Sequence, residues 1–199
     1  MRAAGLIYPC FCTRADIARE VAGSLSAPHG FDGARYPGLC RRLDPSERAA
    51  RMAEPHAWRL DMAAAVARGG SLAWHDELAG DRRVDPAAGD VVLARKDAPA
   101  SYHLAVTVDD APQGVTHVVR GADLFAATHV HRLLQALLDL PTPVYHHHAL
   151  LTDASGRRLA KRHGAPTLAS LREAGADGRA LADDLRRGRV PTGFARAND

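Results

Sequence analysis

The chain has 199 residues, of which 46% are hydrophobic and 25% are charged. These values predict a folded chain of ordinary domain size and argue against intrinsic disorder. The formal net charge is +3, and nearly all basic residues are arginine, since Lys96 and Lys161 are the sole lysines. Arginine content is therefore weak evidence for a nucleic-acid partner, although residues 151–199 carry ten basic and six acidic residues.

Targeting signals and disulfides are not expected. The sequence has no run of the ~20 apolar residues that a membrane helix needs, and the apolar run near Ile7 is too short for a signal peptide. Three cysteines, an odd number, disfavour a secreted disulfide framework. We expect a cytoplasmic protein with no membrane segment.

Capping and turn signals predict the first elements in chain order. Thr13 is a good N-cap for a helix that ends near Gly23, and Asp44 precedes a short helix with Pro45 in its first turn. Turn-forming residues are frequent in the segment 26–40 between these helices. Apolar runs predict strands at 91–94, 102–108 and 115–119, the last of a kind that is buried in parallel sheets.

The second half of the chain continues the alternation of strands and helices. Apolar residues recur on one side of a predicted helix over about 127–139, and two prolines follow it. One or two short helices are predicted over 166–187. The order strand, helix, strand indicates an α/β architecture.

All three cysteines lie in the first quarter of the chain, as Cys10, Cys12 and Cys40. Clustered thiols in a cytosolic protein favour a metal over a disulfide, and a structural zinc site needs four ligands. Tyr36 and His29 are the nearby candidates for the fourth ligand. A tyrosine ligand is unusual because its hydroxyl has an ordinary pKa of ~10. Three inert buried thiols are the alternative interpretation.

Other candidate site residues are more scattered. Arg120 stands at the end of an apolar strand, and ligands of α/β sheets bind at strand ends. Its planar guanidinium can bind a carboxylate through two hydrogen bonds. Tyr102 begins another predicted strand. Lys161 lies in the basic loop 157–164 and suits phosphate oxygens. The plainer interpretations are a strand-capping arginine and an exposed basic turn. The tract His146–His148 would point alternately to opposite faces of a strand, which disfavours a metal site there.

Several blocks of the sequence resemble the glutamyl-Q tRNA(Asp) synthetases. The resemblance spans about residues 4–166 and rests on Tyr8–Arg14, Tyr36–Arg41, Gly89–Asp97, Tyr102–Val106, Asp109–Asp110, Gly114–Leu124 and Leu140–Tyr145. It implies an α/β fold, namely an incomplete class I synthetase Rossmann-like catalytic domain with a small zinc-binding insertion. The implied parts are the insertion at 1–80, the second half of the catalytic domain with its KMSKS-like loop at 81–165, and a short helical end at 166–199 with no anticodon-binding domain.

The resemblance also implies an activity and its residues. ATP, with Mg²⁺, would activate L-glutamate, and the glutamyl group would pass to the queuosine base in the anticodon stem-loop of tRNA(Asp). Tyr102 and Arg120 would bind glutamate, and Lys161 would contact ATP. Zinc would be held by Cys10, Cys12, Tyr36 and Cys40. The KMSKS-like motif would comprise Arg158, Leu159, Ala160, Lys161 and Arg162. A monomer is expected.

The sequence departs from that family at several positions. His103 and His131 stand where glutamine is usual, and Arg158 and Ala160 stand where the signature has lysine and serine. The HIGH-type ATP motif does not occur in these 199 residues, which predicts that they form no glutamyl-adenylate by themselves and are poorly stable alone. The alternatives are a fragment of a standard glutamyl-tRNA synthetase and a non-catalytic zinc module that binds RNA or a protein.

Overall fold

The computed structural model describes residues 1–23, 29–30, 33–34, 36–85, 89–153, 155–159, 164–190 and 194–196. Tertiary contacts divide the chain into two units. The first unit comprises Met1–Val119 and Leu124–His147, and the second comprises Arg120–Asp123 and His148–Asp199. Within the described ranges, no helix combines the length and the apolar character needed to cross a bilayer.

Strands and helices alternate along most of the described chain. The strands are β1 (Ile7–Cys10), β2 (His29–Gly30), β3 (Gly33–Ala34), β4 (Ala57–Leu60), β5 (Ala73–Asp76), β6 (Gly80–Arg83), β7 (Val92–Ala94), β8 (His117–Gly121), β9 (Val144–His148), β10 (Leu151–Asp153) and β11 (Phe194–Arg196). The helices are α1 (Arg14–Gly23), α2 (Pro45–Ala50), α3 (Met62–Gly69), α4 (Tyr102–Asp110), α5 (Ala127–Leu137), α6 (Leu168–Glu173) and α7 (Gly178–Arg186). Short 3₁₀ turns cover Leu39–Arg42 and Ala122–Leu124.

The described strands form two larger sheets and two strand pairs. β1, β4 and β7 make an antiparallel sheet with β4 in the centre. The four-stranded sheet has the order β6-β5-β9-β8, in which β5 pairs antiparallel with β6 and parallel with β9. The remaining pairs, β2 with β3 and β10 with β11, are antiparallel.

The first unit has an aliphatic core built from helix faces and strand interiors. Helix α5 contributes Val130, Leu133 and Leu134, each fully buried, because apolar residues three and four apart share one helical face. Leu60 of β4 and Leu93 of β7 pack into the same core. Replacing a fully buried leucine of this kind by alanine typically costs about 2–5 kcal/mol. A second buried cluster contains Cys10 and Cys40 together with aromatic side chains.

Two expectations from the sequence are wrong. Residues 102–110 form helix α4, because the Ser101 side chain accepts a hydrogen bond from the Leu104 amide and caps the helix. Leu104 and Thr107, three residues apart, face inward together, so burial in this segment follows a helical period. The strand expected at 115–119 is present as β8 but is not buried, since Val119 is 67% exposed.

The helices predicted after Thr13, after Asp44 and over 127–139 are confirmed as α1, α2 and α5, and the strand at 91–94 is confirmed as β7. Asp44 accepts a hydrogen bond from the Ser46 amide and is the N-cap of α2. The two short helices expected over 166–187 are α6 and α7.

The second unit contains a β-hairpin and these two helices. Residues 157–159 return antiparallel to β10, with hydrogen bonds from the Asp153 amide to the Arg157 carbonyl and from the Leu159 amide to the Leu151 carbonyl. The Asp153 carboxylate closes the turn by accepting bonds from the Ser155 hydroxyl and from the backbone amides of Ser155 and Arg157. Strand β11 pairs with the other edge of β10.

Candidate functional site

The three cysteines meet at the end of β1. Their sulfur atoms all lie within 4.8 Å of one another, and Cys12 Sγ is 3.4 Å from Cys40 Sγ. Cys10 ends β1, Cys12 follows the strand, and Cys40 is presented by the 3₁₀ turn Leu39–Arg42. Cys10 and Cys40 are buried, whereas Cys12 is partly exposed. In the described part of the chain, this is the one group of three or more histidine, cysteine or acidic side chains close enough to share a metal ion.

Tyr36 completes the cluster. Its hydroxyl lies 3.5 Å from both Cys10 Sγ and Cys12 Sγ and accepts a 2.9 Å hydrogen bond from the Cys40 amide. Four ligands at about 2.0–2.3 Å from a common centre would be about 3.3–3.8 Å apart in a tetrahedron. The separations of 3.5 Å from the Tyr36 hydroxyl to two sulfurs and of 3.4 Å between Cys12 and Cys40 fall in that range. With all three sulfurs within 4.8 Å of one another, the donor set suits a tetrahedral metal ion. The side chain of His29, the other candidate ligand, lies outside the described part of the structure.

Two side chains of the cluster, Tyr36 and Cys12, resist ionisation without a metal. Burial raises the pKa of the Tyr36 hydroxyl well above its ordinary range, and its hydrogen bond with Cys10 raises it further. Burial also raises the pKa of the Cys12 thiol to about 12. Burial acts in the same direction on Cys40, but hydrogen bonds from Tyr36 and from the Phe11 amide outweigh it and lower the pKa. A bound dication would supply the charge that favours the ionised ligands.

Cationic side chains surround the cluster. The Arg59 guanidinium lies over the Tyr36 ring at 3.9 Å, and that of Arg51 lies over the Phe11 ring at 4.4 Å. Lys96 Nζ donates a 2.9 Å hydrogen bond to the Phe11 carbonyl. These positive charges favour a cluster of thiolates and phenolate. The sequence shows no sign of the roles of Arg51 and Arg59, because arginine is too frequent in the chain to stand out.

Asp90 joins the cysteine cluster to the aliphatic core. Its buried carboxylate accepts hydrogen bonds from the Tyr8 hydroxyl at 2.6 Å, from the Met62 amide at 3.0 Å and from Arg41 at 3.2 Å. Tyr8 and Arg41 flank Cys10 and Cys40 in the sequence. Burial raises the pKa of the Tyr8 hydroxyl above its ordinary range, so this phenol is a hydrogen-bond donor at neutral pH. Asp90 lies in a block that carries the family resemblance, but that pattern gives no sign of this role.

Tyr102 lies at the first residue of α4 and is half exposed. Its ring packs edge-on against His131 of α5, with 5.8 Å between the ring centres. His131 is buried and shares a 3.0 Å hydrogen bond with His103. The two histidines that depart from the family pattern therefore contact each other beside the predicted glutamate-binding tyrosine.

The remaining predicted site residues belong to the second unit. Arg120 is buried at the end of β8, where the sequence placed it. Arg158 pairs with Asp123 at 2.6 Å, and Leu159 continues the hairpin. Ala160, Lys161 and Arg162 lie outside the described residues. The assignments of Arg120 to glutamate and of Lys161 to ATP therefore stay predictions.

A buried polar chain in the first unit was also missed. His147 Nδ1 lies 2.6 Å from Asp76 Oδ2, and His147 Nε2 lies 3.2 Å from the Thr128 hydroxyl. Burial opposes ionisation of Asp76, but its hydrogen bonds from His147 and from the amides of Leu78 and Ala79 lower its pKa. His146 instead pairs with Glu77, so the histidine tract alternates between faces of β9 as expected. No pattern along the sequence links positions 76 and 147.

Comparison with known proteins yields a family, close relatives and structural neighbours. The family model described as tRNA synthetases class I (E and Q), catalytic domain, matches residues 1–193. A glutamyl-Q tRNA(Asp) synthetase of Rhodobacter capsulatus is 48% identical over 180 residues, which cover 86% of this chain and 64% of that protein. The enzyme of the same name from Symbiobacterium thermophilum is 46% identical over 178 residues, which cover 88% of this chain and 53% of that protein.

Two crystal structures share the fold at low sequence identity. The glutamate-tRNA synthetase of Elizabethkingia anophelis superposes with a TM-score of 0.60 at 23% identity, covering 80% of this chain and 33% of that one. A glutamate tRNA ligase of Elizabethkingia meningosepticum gives a TM-score of 0.58 at 22% identity, covering 80% of this chain and 32% of that one. The chain thus spans about half to two thirds of the length of the two relatives and a third of these structures.

Proposed function

We propose a function from the premise that this chain belongs to the family of class I tRNA synthetase catalytic domains specific for glutamate and glutamine. The chain would act as part of a glutamyl-Q tRNA(Asp) synthetase. In this function ATP activates L-glutamate, and the glutamyl group passes to the queuosine base in the anticodon stem-loop of tRNA(Asp). The observation that carries the proposal is the identity of 48% and 46% to relatives with that name over most of this chain.

Activation of glutamate needs little covalent help from the protein. A carboxylate oxygen of glutamate attacks the α-phosphorus of ATP, the bond to the bridging oxygen breaks, and pyrophosphate leaves. Positioning of the two reactants and neutralisation of their negative charge dominate such a step. We assign these tasks to binding residues and to no single catalytic acid or base.

Arg120 and Tyr102 are proposed as the glutamate-binding residues. A guanidinium holds a carboxylate through two parallel hydrogen bonds, and burial of Arg120 strengthens such a contact because water competes less. Tyr102 is half exposed, so its side chain is proposed to be accessible to a ligand. The tyrosine ring packs edge-on against His131, which is hydrogen-bonded to His103.

The loop that begins at Arg158 is proposed to bind ATP. Arg158, Leu159, Ala160, Lys161 and Arg162 occupy the place of the KMSKS signature. The Lys161 ammonium would neutralise charge that builds on the phosphates as pyrophosphate leaves. Magnesium would accompany the ATP phosphates as their counter-ion.

Zinc is the metal proposed for the cysteine cluster. Thiolates are its preferred structural ligands, and the set of three sulfurs and one oxygen from Cys10, Cys12, Cys40 and Tyr36 leaves no open position for substrate. The metal would therefore stabilise the fold around β1 rather than take part in the reaction. The cations Arg59, Arg51 and Lys96 would balance the negative charge of the ligands.

The proposed domain organisation is the one that the family resemblance implies. Residues 1–80 would form the zinc-binding insertion, 81–165 the second half of the catalytic domain, and 166–199 a short helical end. The chain is proposed to work as a monomer in the cytoplasm, a reducing compartment in which three cysteines without a disulfide are expected.

Binding of ligands to the 199-residue chain tests the function without requiring turnover. The first probe is a glutamyl-adenylate analogue with a sulfamoyl link, compared with its aspartyl counterpart by titration calorimetry. The second probe is the anticodon stem-loop of tRNA(Asp) with queuosine, compared with an acceptor-stem microhelix. We expect the glutamyl analogue and the queuosine stem-loop to bind at least about tenfold more tightly than their counterparts, since each should satisfy buried polar groups that the other leaves unpaired.

Other results would select other functions. Preference for the acceptor stem would favour a piece of a standard glutamyl-tRNA synthetase. RNA binding without any binding of the glutamyl analogue would favour a non-catalytic zinc module. Equal affinity for the glutamyl and aspartyl analogues would contradict the proposed substrate.

A further inference from the structure

An ion pair in the second unit joins two distant parts of the chain. Arg158 Nη2 donates a 2.6 Å hydrogen bond to Asp123 Oδ2, across 35 positions of sequence. Three other ion pairs in the described part of that unit join residues only three to five positions apart: Arg157–Asp153, Arg186–Asp183 and Arg189–Asp184. The Asp123–Arg158 pair therefore ties the returning strand of the hairpin to the segment that follows Arg120.

The Asp123 carboxylate lies in a space that depends on Gly121. A Cβ atom at position 121 would be 2.5 Å from Asp123 Oδ1 and 2.8 Å from Leu150 Cδ2. The carboxylate fits there because glycine has no side chain. The Asp123 side chain is 28% exposed, whereas that of Arg158 is 52% exposed. One partner of the pair is thus partly shielded, and the other is open to solvent.

Within the described ranges, the Arg158 guanidinium uses few of its hydrogen-bond donors. It carries five N–H groups in a planar fork, and among the described residues Asp123 is its one hydrogen-bond acceptor. A rigid fork can hold a carboxylate on one edge and an anionic ligand on another in a fixed relative orientation. A lysine ammonium is a compact charge on a flexible stem and fixes no such orientation.

We infer that Asp123 is a positioning residue that orients Arg158 so that the free edge of its guanidinium binds the polyphosphate group of a nucleotide. The inference rests on the proposed function, in which the loop that begins at Arg158 binds ATP. It also accounts for arginine at a position where the family signature has lysine. Asp123 and Arg158 act together, so neither side chain contributes to anion binding without the other.

The test measures binding of inorganic tripolyphosphate to the 199-residue chain by calorimetry. The variants are Asp123→Asn, Arg158→Lys and their combination. Arg186→Lys is the matched control, because it makes the same change in an exposed ion pair of the same unit. Thermal unfolding of each variant shows whether the fold is retained, since an exposed pair adds little stability.

The expected change in affinity for Asp123→Asn distinguishes positioning of Arg158 from a simple effect of charge. Removing a negative charge should by itself tighten binding of an anion. The inference predicts instead about threefold weaker binding for Asp123→Asn and about fivefold weaker binding for Arg158→Lys, the range that exposed ion pairs support. The double variant should bind no more weakly than Arg158→Lys alone, because the two effects are coupled. Arg186→Lys should stay within about twofold of the unaltered chain.

Several outcomes would overturn the inference. These are unchanged or tighter binding by Asp123→Asn, unchanged binding by Arg158→Lys, additive losses in the double variant, or no tripolyphosphate binding by the unaltered chain. The proposed function fails separately, through the glutamyl-adenylate analogue. If tripolyphosphate binding follows the expected pattern and the analogue does not bind, the anion site stands and the proposed function falls.

Discussion

The two units of the chain differ in the polar contacts that hold them. In the first unit, buried groups far apart in sequence meet: Tyr8 with Asp90 across 82 positions and Asp76 with His147 across 71. In the second unit, most polar pairs are local and exposed, as for Asp153 with Ser155 and Arg186 with Asp183. Buried pairs are costly to break, whereas exposed ones contribute little. The comparison therefore predicts that substitutions in the buried pairs of the first unit lower stability more than substitutions in exposed pairs.

The largest effect is expected at the cysteine cluster. Cys40→Ser removes one of three sulfur ligands and should weaken zinc binding by at least about a hundredfold, because structural sites need a complete ligand set. Titration with a zinc indicator in competition measures the change. The control is His148→Ala, which alters an exposed residue of the histidine tract. Loss of zinc by the control variant would place the metal at the tract instead.

The next largest effect is expected at the buried Asp–His pair. Asp76→Ala should lower the free energy of unfolding by about 3–5 kcal/mol, since it removes the buried carboxylate that pairs with His147 Nδ1. Asp81→Ala is the matched control, because Asp81 pairs with His75 on the surface, and it should cost at most about 1 kcal/mol. Chemical denaturation compares the two. Equal losses would remove the distinction between buried and exposed pairs.

Asp90→Asn tests the link between the cysteine cluster and the aliphatic core. The substitution keeps the shape of the side chain but removes the charge that Tyr8 and Arg41 contact. We expect a loss of about 2–3 kcal/mol in unfolding free energy, the scale of hydrogen bonds to a charged group. The surface variant Asp97→Asn, which affects only the exposed pair with Arg95, should change stability by less than about 1 kcal/mol. A larger loss of stability for Asp97→Asn than for Asp90→Asn would contradict the proposed link between the cluster and the core.

The smallest effect is expected at the hairpin turn. Hydrogen bonds from the Ser155 hydroxyl and from the Arg157 amide lower the pKa of Asp153 to about 2. Because the pKa is depressed in the folded chain, this carboxylate stabilises the turn fully above its ordinary pKa near 4, and the contribution is lost as the pH falls towards 2. An NMR titration of the Asp153 carboxyl carbon should show a midpoint near 2. A midpoint near 4 would mean that the turn contacts do not form.

The sequence predicted local features better than distant contacts. The family, the α/β synthetase fold and the helices capped by Asp44 and Thr13 are confirmed. The strand predicted at 102–108 failed because the Ser101 cap outweighs the strand propensity of the β-branched residues. The roles of Asp90, Asp76 and Arg59 were beyond the sequence, because they depend on partners that only the folded chain brings near.

At the candidate site, too, the sequence predicted some features and left others undetermined. The spacing of Cys10, Cys12 and Cys40 predicted a cluster, and their sulfur atoms do meet. The choice of Tyr36 as the fourth ligand came from the family resemblance, and its hydroxyl lies 3.5 Å from two of the sulfurs. The assignments of Tyr102, Arg120 and Lys161 to substrates stay predictions.

X-ray absorption at the zinc edge of the purified chain tests the central claim most directly. The account predicts one zinc ion per chain with three sulfur neighbours and one oxygen neighbour, and Tyr36→Phe should remove the oxygen signal or replace it with that of water. A chain that binds no zinc, or whose zinc has only nitrogen and oxygen neighbours, would contradict it.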